Sequence, residues 1–262
     1  MNSKKLVCDY LIVGSGAAPL AFLDTLLTEL PDKKVIMVDK KSRPGGHWVD
    51  DYDFVKLHQP SIVYGISSKQ LEGNWAKLLF GKLTLPWNHR ASKQELLNYF
   101  QDFVDEKVES EQVLYFPGCV YDLKQEKSST SNTVKFTSLD GQQSYDVEVR
   151  DKVVNGVQGE CVIPSLTPPS FAVSEGINLM TPNQLFALQQ ILQGPSNSKC
   201  IGSPKSKGVM QGRHFVVLGA GKTAMDTIVF LQTEMGVPPA DISWVIPNDV
   251  WMLSRENSQG YV

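Results

Sequence analysis

Gly14 and Gly16 stand at the end of an apolar run, Leu11-Ile12-Val13, and a carboxylate, Asp39, ends the next apolar run, Val35 to Val38. Residues of those types in that order can hold a dinucleotide. Gly14 permits a sharp strand-to-helix bend, and Gly16 lets the backbone approach a pyrophosphate whose charge rests on the unpaired N–H groups of a helix N-terminus. The carboxylate at the tip of the second strand is then placed to accept hydrogen bonds from a pair of ribose hydroxyls. Strand, turn, helix, strand and acid all occur in sequence, which a chance glycine string does not provide. The third fingerprint position holds Pro19 in place of glycine. Proline is tolerated in a first helical turn because its missing N–H would be unpaired there anyway, but its ring bears on how closely helix and strand pack.

Further polar groups follow. Arg43-Pro44-Gly45-Gly46-His47-Trp48 offers two glycines for close backbone approach to a flat ligand and an arginine able to meet phosphate in bidentate fashion. Leu57-His58-Gln59-Pro60-Ser61 presents polar side chains beside a proline, suited to hydrogen-bonding a ring edge or serving as an ordinary loop. His47 and His58 are the candidates for proton donation, because imidazole titrates near neutrality. A second glycine turn comes late in the chain, in Phe215-Val216-Val217-Leu218-Gly219-Ala220-Gly221-Lys222-Thr223-Ala224. Its Gly-Lys-Thr is not a P-loop, since the four residues required between the first glycine and Gly-Lys are absent.

The elements that must position these residues are readable from periodicity. Residues 6 to 13 form a buried parallel strand, and Leu20, Leu23, Leu27 and Leu30 keep helical spacing until Pro31-Asp32. Ser92-Lys93-Gln94-Glu95 is a capping box that opens a helix running to about residue 107, with Leu96, Phe100 and Phe103 on one face. Val113 to Phe116 is a strand. Val134 and Phe136, then Tyr145, Val147 and Val149, alternate around Asp140-Gly141 as a hairpin, expected to form a small antiparallel layer. Residues 62 to 90, with Trp75 and Trp87, have no sustained period and read as an excursion shaping a substrate side. Gly202 to Gly212 reads as an exposed loop. In the second unit Ala224, Ile228, Leu231 and Met235 share a helical face, Gly236 stops it, and Ile242 to Ile246 is the following strand. No acid ends that strand; Pro247, Asn248 and Asp249 follow, which leaves a free ribose hydroxyl and a ribose 2′-phosphate both open.

The fold class expected is α/β: a Rossmann-like domain with a small antiparallel layer over residues 1–165, a linker over 166–212, and an incomplete second Rossmann-like unit over 213–262. With 262 residues, 42% hydrophobic and 20% charged, the chain can bury a core. A net charge of −3 provides no field for nucleic acid or an anionic membrane, so a small-molecule partner is expected. Lys4 and Lys5 precede an apolar run too short and too interrupted for a signal or membrane segment. Cys8, Cys119, Cys161 and Cys200 make neither a CxxC pair nor a metal cluster, which points to a reducing cytoplasm, no metal and no dithiol chemistry. Oligomeric state is not readable.

Strand, GxGxx turn, acid-tipped second strand and Gly-Gly-x-Trp loop together resemble the FAD domain of two-dinucleotide-domain flavoprotein oxidoreductases, the flavin monooxygenase and pyridine nucleotide reductase superfamily. Pro-Gly-Gly-His-Trp (44 to 48), Leu-His-Gln-Pro-Ser (57 to 61) and Tyr-Phe-Pro (115 to 117) are similar to strings of bacterial FAD/NAD(P)-binding oxidoreductases. The resemblance implies FAD with Gly14, Gly16 and Asp39 on its ADP half, the Gly45-Gly46 loop toward its flavin side, adenine near Cys119-Val120, and Lys152 to Gly156 returning the chain to the flavin. The GxGxxA turn resembles the NAD(P)H site of the same superfamily. The cofactor-binding set so implied is Gly14, Ser15, Gly16, Ala17, Ala18, Asp39, Lys40, Arg43, Gly46, His47, Trp48, His58, Gln59 and Val120 for FAD, with Gly219, Gly221, Lys222 and Thr223 for the nicotinamide cofactor. The activity implied is reduction of flavin by NAD(P)H and passage of the electrons to a small organic substrate or to dioxygen. The Phe-x-Gly-x-x-x-His fingerprint of class B monooxygenases is absent, since neither Phe171 nor Phe186 is followed by that spacing, so a plain reductase or dehydrogenase stands beside monooxygenation. Because the chain ends just after the second unit's second strand, a truncated or non-catalytic nucleotide-binding protein is the other expectation.

Overall fold

The apolar runs that bracket the first glycine turn become the centre of a sheet. The computed structural model describes residues 3–72, 89–122, 132–157, 164–193, 213–248 and 251. Trp75, Trp87, Cys161, Cys200, Asp249 and the 202–212 loop lie outside the described residues. Two compact units are present, one of residues 1–51 and 56–163, the other of residues 52–55 and 164–262.

In the first unit β1 (Lys4–Val13) leads through the turn into α1 (Ala17–Glu29), and β2 (Val35–Asp39) returns alongside β1 in parallel. All five residues of β2 are buried, as a parallel strand covered on both faces requires. A two-stranded hairpin, β3 (Gly65–Ile66) and β4 (Lys69–Gln70), precedes α2 (Lys93–Glu109). Then come β5 (Val113–Pro117), β6 (Cys119–Tyr121), β7 (Thr133–Ser138) and β8 (Ser144–Asn155). The sheet order is β5-β2-β1-β8-β7-β6. β5, β2, β1 and β8 run parallel; β7 and β6 are antiparallel additions.

The expected antiparallel layer is therefore not separate. β8 is twelve residues long, so its first half pairs with β7 on one edge and with β1 on the other, while its second half, Lys152 to Asn155, continues along β1 as far as Val13. One strand serves both the hairpin and the return to the turn. β5 and β6 lie at opposite ends of the sheet yet are joined by Gly118 alone, in a left-handed conformation (φ +65°), so the sheet bends back around its core. That core holds Leu11, Val13, Ile36, Val38, Phe136, Tyr145 and Val147, with the Phe136 ring stacked on Tyr145 at 4.7 Å.

α1 buries Leu20, Leu23 and Leu27 of the positions its periodicity marks, whereas Leu30 lies one residue past the helix end, where the chain turns out toward Pro31, and is exposed. Buried Asp24 on the same helix accepts from the Ser68 N–H (3.0 Å) and from the Ser68 hydroxyl, which fastens the β3–β4 hairpin to α1. α2 begins as the capping box specifies: the Ser92 hydroxyl accepts from Glu95 N–H at 3.4 Å and the Glu95 carboxylate accepts from Ser92 N–H at 2.7 Å.

The second unit contains α3 (Pro182–Gln193), then β9 (Phe215–Leu218), α4 (Lys222–Thr233) and β10 (Ile242–Val245), with β9 and β10 parallel. The stretch 166–212, expected as a linker, thus carries a helix whose Leu185 joins this unit's core. Leu231 and Met235 of the expected helical face are buried in that core, beside Ala224. A short piece from far upstream, Tyr52 to Val55, also belongs here: Phe54 stacks on Phe230 at 4.1 Å and the Tyr52 hydroxyl donates to Asp226 at 2.8 Å. Among the described residues no helix is long and apolar enough to cross a membrane.

Candidate functional site

The first glycine turn is drawn tight by its neighbours. Gly14 takes φ +98°, which an L side chain rarely adopts, and its N–H donates to Val38 O at 2.8 Å. Gly16 caps α1 without a side chain, so the first N–H groups of the helix, those of Ala17 and Ala18, point out of its N-terminus without an intrahelical acceptor. The Gly45-Gly46 loop lies directly on this turn. Gly45 N–H donates to Ser15 O at 2.9 Å, and a Cβ built on Gly46 would sit 2.9 Å from the Gly16 Cα. Both Gly45 and Gly46 have positive φ, at +136° and +59°, so the pair supplies a conformation and a closeness that no other residue type allows.

The missing third glycine has a counterpart just past β8. Pro19 packs against Gly156, where a Cβ would come within 2.6 Å of the Pro19 Cβ and 2.8 Å of Val13 O. The Pro19 ring therefore fills space that a side chain at position 156 would need. Gly156 N–H donates to Val13 O at 2.8 Å, which brings the end of β8 back to the turn.

Asp39 is buried (6% exposed) and turned toward the glycine turn. Its Oδ2 accepts from both the N–H and the hydroxyl of Ser15, each at 2.6 Å, and its Oδ1 accepts from Lys41 N–H at 2.8 Å. Tyr115, on β5, completes the cluster with its hydroxyl 3.2 Å from the Ser15 Oγ. Because the single Ser15 hydroxyl proton is directed at Asp39, the phenol is the donor in that contact. Burial pushes the Tyr115 pKa up to about 12, with the Ser15 contact lowering it and the Asp39 charge raising it, so the phenol keeps its proton at neutral pH. Tyr115 falls in the Tyr-Phe-Pro string (115 to 117) that carries part of the resemblance, but neither that string nor its strand position gives it a site role; the contact spans a hundred residues.

The other expected residues separate into those that join this cluster and those that do not. The Arg43 Nε is buried and has no hydrogen-bond partner among the described residues, a donor that an anionic group would satisfy. Lys40 is exposed at the strand tip. Lys41 O accepts from Gly118 N–H at 2.8 Å, which brings the strand-two tip next to the β5–β6 bend; Val120, on β6, is 40% exposed. Trp48 is buried, with its indole N–H donating to the Tyr64 hydroxyl at 3.3 Å. His47 is exposed, 4.0 Å from the Asp51 carboxylate. His58 and Gln59 sit in a string held elsewhere, where Leu57 N–H donates to Ala91 O and Ser61 N–H to His89 O, both at 2.9 Å. His58 is exposed.

In the second unit Gly219 takes φ +127° and its O accepts the Trp244 indole N–H at 2.6 Å. Gly221 caps α4. A Cβ on Gly221 would meet nothing, so this turn, unlike the first, has no loop lying on it among the described residues. Lys222 is bent back onto Asp226, the acceptor of the Tyr52 hydroxyl, and Thr223 is exposed. β10 ends in Val245, followed by Ile246 and Pro247, without a carboxylate.

The residues of the first unit fit an adenine dinucleotide: a glycine cradle that a single Cβ would fill, a buried guanidinium nitrogen with no partner among the described residues, and a buried carboxylate at the second strand's tip. Among the described residues no group of three or more His, Cys, Asp or Glu side chains is placed to hold a metal ion.

No protein-family model matches the chain. It is 32% identical over 258 residues to uncharacterized proteins of Mycobacterium tuberculosis and Mycobacterium bovis, a match that takes in 98% of this chain and 42% of theirs. The chain thus spans less than half the length of the curated relatives it matches. Among solved structures it is similar to the flavin-containing monooxygenase from Stenotrophomonas maltophilia, with a TM-score of 0.55 and 16% identity over 95% of this chain and 60% of that one. It is also similar to cyclohexanone-bound cyclohexanone monooxygenase, with a TM-score of 0.51 and 19% identity over 93% of this chain and 39% of that one. The cyclohexanone monooxygenase from Rhodococcus sp. Phi1 bound to NADP+ matches with a TM-score of 0.51 and 19% identity over 88% of this chain and 37% of that one. At these identities the likeness is one of fold: this chain shares with those flavoenzymes a mixed α/β, mainly parallel Rossmann-like architecture.

Proposed function

We propose that the first unit binds FAD, that the second binds a nicotinamide cofactor, NADPH or NADH, and that the chain serves an FAD-dependent oxidoreductase acting on a small organic substrate, monooxygenation being the favoured outcome. The observation that carries this reading is the seat of Asp39: a buried carboxylate bonded to the glycine turn, which is itself covered by the Gly45-Gly46 loop.

In this reading the α1 N-terminus and the Arg43 guanidinium hold the pyrophosphate, Asp39 faces the adenosine ribose, and the Gly45-Gly46 backbone lies along the isoalloxazine side. FAD, when bound, supplies the hydride and electron chemistry that amino-acid side chains lack. The protein's own contribution is to bind, orient and desolvate. His47 and His58 remain the candidates for proton donation; both are exposed, so either would act from a solvated loop. Gly219, Gly221, Lys222 and Thr223 are assigned to the nicotinamide cofactor. Lys222 must leave Asp226 to reach an anionic group there. The likeness to an enzyme solved with NADP+ and the missing acid at the end of β10 both lean toward NADPH. A cytoplasmic setting with a small-molecule partner, and neither nucleic acid nor membrane, completes the reading.

Purified protein is expected to carry a flavin absorbance band that NADPH bleaches under anaerobic conditions. Bound flavin that neither NADPH nor NADH reduces would support a non-catalytic binding protein instead, and a chain that takes up no flavin would refute the assignment of the first unit.

A further inference from the structure

The three hydrogen bonds that the Asp39 carboxylate already accepts decide how it can meet a ribose. A carboxylate has about four acceptor positions, two on each oxygen. Oδ2 has both of its positions taken by Ser15, and Oδ1 has one taken by Lys41 N–H. Among the described residues one position remains, on Oδ1. A ribose presents two vicinal hydroxyls, so a grip on both requires one protein donor to withdraw. Two of the three donors are backbone N–H groups, of Ser15 in the turn and of Lys41 just past β2; only the Ser15 hydroxyl can leave by rotation about its own side chain. The Tyr115 phenol, held protonated, donates to the Ser15 Oγ and keeps the hydroxyl aimed at Asp39.

We propose that the Ser15 hydroxyl is a built-in competitor for the ribose: it occupies the acceptor that the second ribose hydroxyl would take, and so sets how strongly the site distinguishes a ribose from its deoxygenated form. The inference rests on the FAD reading of the first unit. Ser15 is a specificity-determining residue in this account, because loss of its hydroxyl frees an acceptor on Asp39 while the residue-15 N–H stays in place. Tyr115 is a positioning residue acting through Ser15.

Ser15→Ala keeps the residue-15 N–H and deletes only the competing hydroxyl. The test is isothermal titration of wild type, Ser15→Ala and Tyr115→Phe with ADP and with 2′,3′-dideoxy-ADP, alongside FAD uptake by each. Ser15→Ala should tighten ADP about fivefold, the worth of roughly one hydrogen bond, while leaving dideoxy-ADP unchanged. Tyr115→Phe should move ADP in the same direction by less. An unchanged or reduced preference for ADP over the dideoxy form in Ser15→Ala overturns the proposal and makes Ser15 a simple support for Asp39. So does a wild type that takes up FAD but shows no such preference to alter, since Asp39 then faces no ribose. A chain that takes up neither FAD nor ADP overturns the FAD reading itself, and this inference falls with it.

Discussion

Replacing Gly156 by alanine tests whether the helix–sheet spacing at the first turn is set from the strand side. Gly156 does not have positive φ, so alanine brings no backbone strain and its cost is steric. The added Cβ would lie 2.6 Å from the Pro19 Cβ, 2.9 Å from the Pro19 Cγ and 2.8 Å from Val13 O. A proline ring in the first turn of a helix cannot rotate aside, and Val13 O is the acceptor of the Gly156 N–H, so any retreat from it lengthens that hydrogen bond. Overpacking of this kind costs about 1–3 kcal/mol, and a weakened buried backbone bond adds about 1 kcal/mol. Pro19→Gly removes both ring contacts and restores glycine at the third fingerprint position, but leaves the conflict with Val13 O. The double variant Pro19→Gly/Gly156→Ala should therefore be more stable than the sum of the single effects by about 1 kcal/mol or more. Urea unfolding of the four proteins, followed by far-UV circular dichroism, measures the cycle, and flavin retention on dialysis reports whether the displaced helix has carried the turn with it. Additive single effects, or a Gly156→Ala protein within about 0.5 kcal/mol of wild type, would refute the reasoning.

Other expected outcomes are simpler. Asp39→Ala strands the Ser15 and Lys41 N–H groups and removes the acceptor assigned to the ribose, so FAD affinity should fall by about 1–3 kcal/mol; flavin content unchanged after dialysis would count against that placement. Burial works to raise the Glu95 pKa, but the Ser92 N–H and hydroxyl and the His89 ring outweigh it and hold the carboxyl below the ordinary glutamate value. A carboxyl depressed in the folded state contributes stability above its unfolded pKa and loses it as pH falls through the folded one, so the gap between wild type and Glu95→Gln in thermal melts should close as pH falls below the ordinary glutamate pKa of about 4.3. A gap independent of pH would mean that the capping charge is not what Glu95 supplies.

The parts of this fold legible from the sequence are those whose cause is local. The apolar period of β1, α1 and β2 and the Ser92–Glu95 capping box depend on residues within one turn or one strand of each other, and each element stands where its pattern places it. The features that shape the site are not local. Tyr115 reaches Ser15 across a hundred residues, Tyr52 reaches Asp226 across 174, and Gly156 makes room for Pro19 from the far end of β8. No window of sequence contains both partners of any of these pairs. Pro19 at the third glycine position reads as a departure from the fingerprint when only the turn is in view. With Gly156 opposite it, the proline ring is accommodated by a residue that has no side chain of its own.

The same reasoning bears on Asp39. In the proposed reading Asp39 faces a ribose diol, because a carboxylate at that strand tip can accept two hydroxyls. What type cannot disclose is how many acceptor positions the protein itself has filled. Ser15 is unremarkable by spacing, since the position between the two glycines tolerates many small residues, yet its hydroxyl and N–H together take one whole oxygen of the carboxylate. Whether the site is strict or permissive toward the ribose thus depends on a side chain that the fingerprint leaves unspecified. That is why Ser15→Ala, with the glycines and the acid untouched, is the substitution most able to separate the geometry of this turn from the motif it carries.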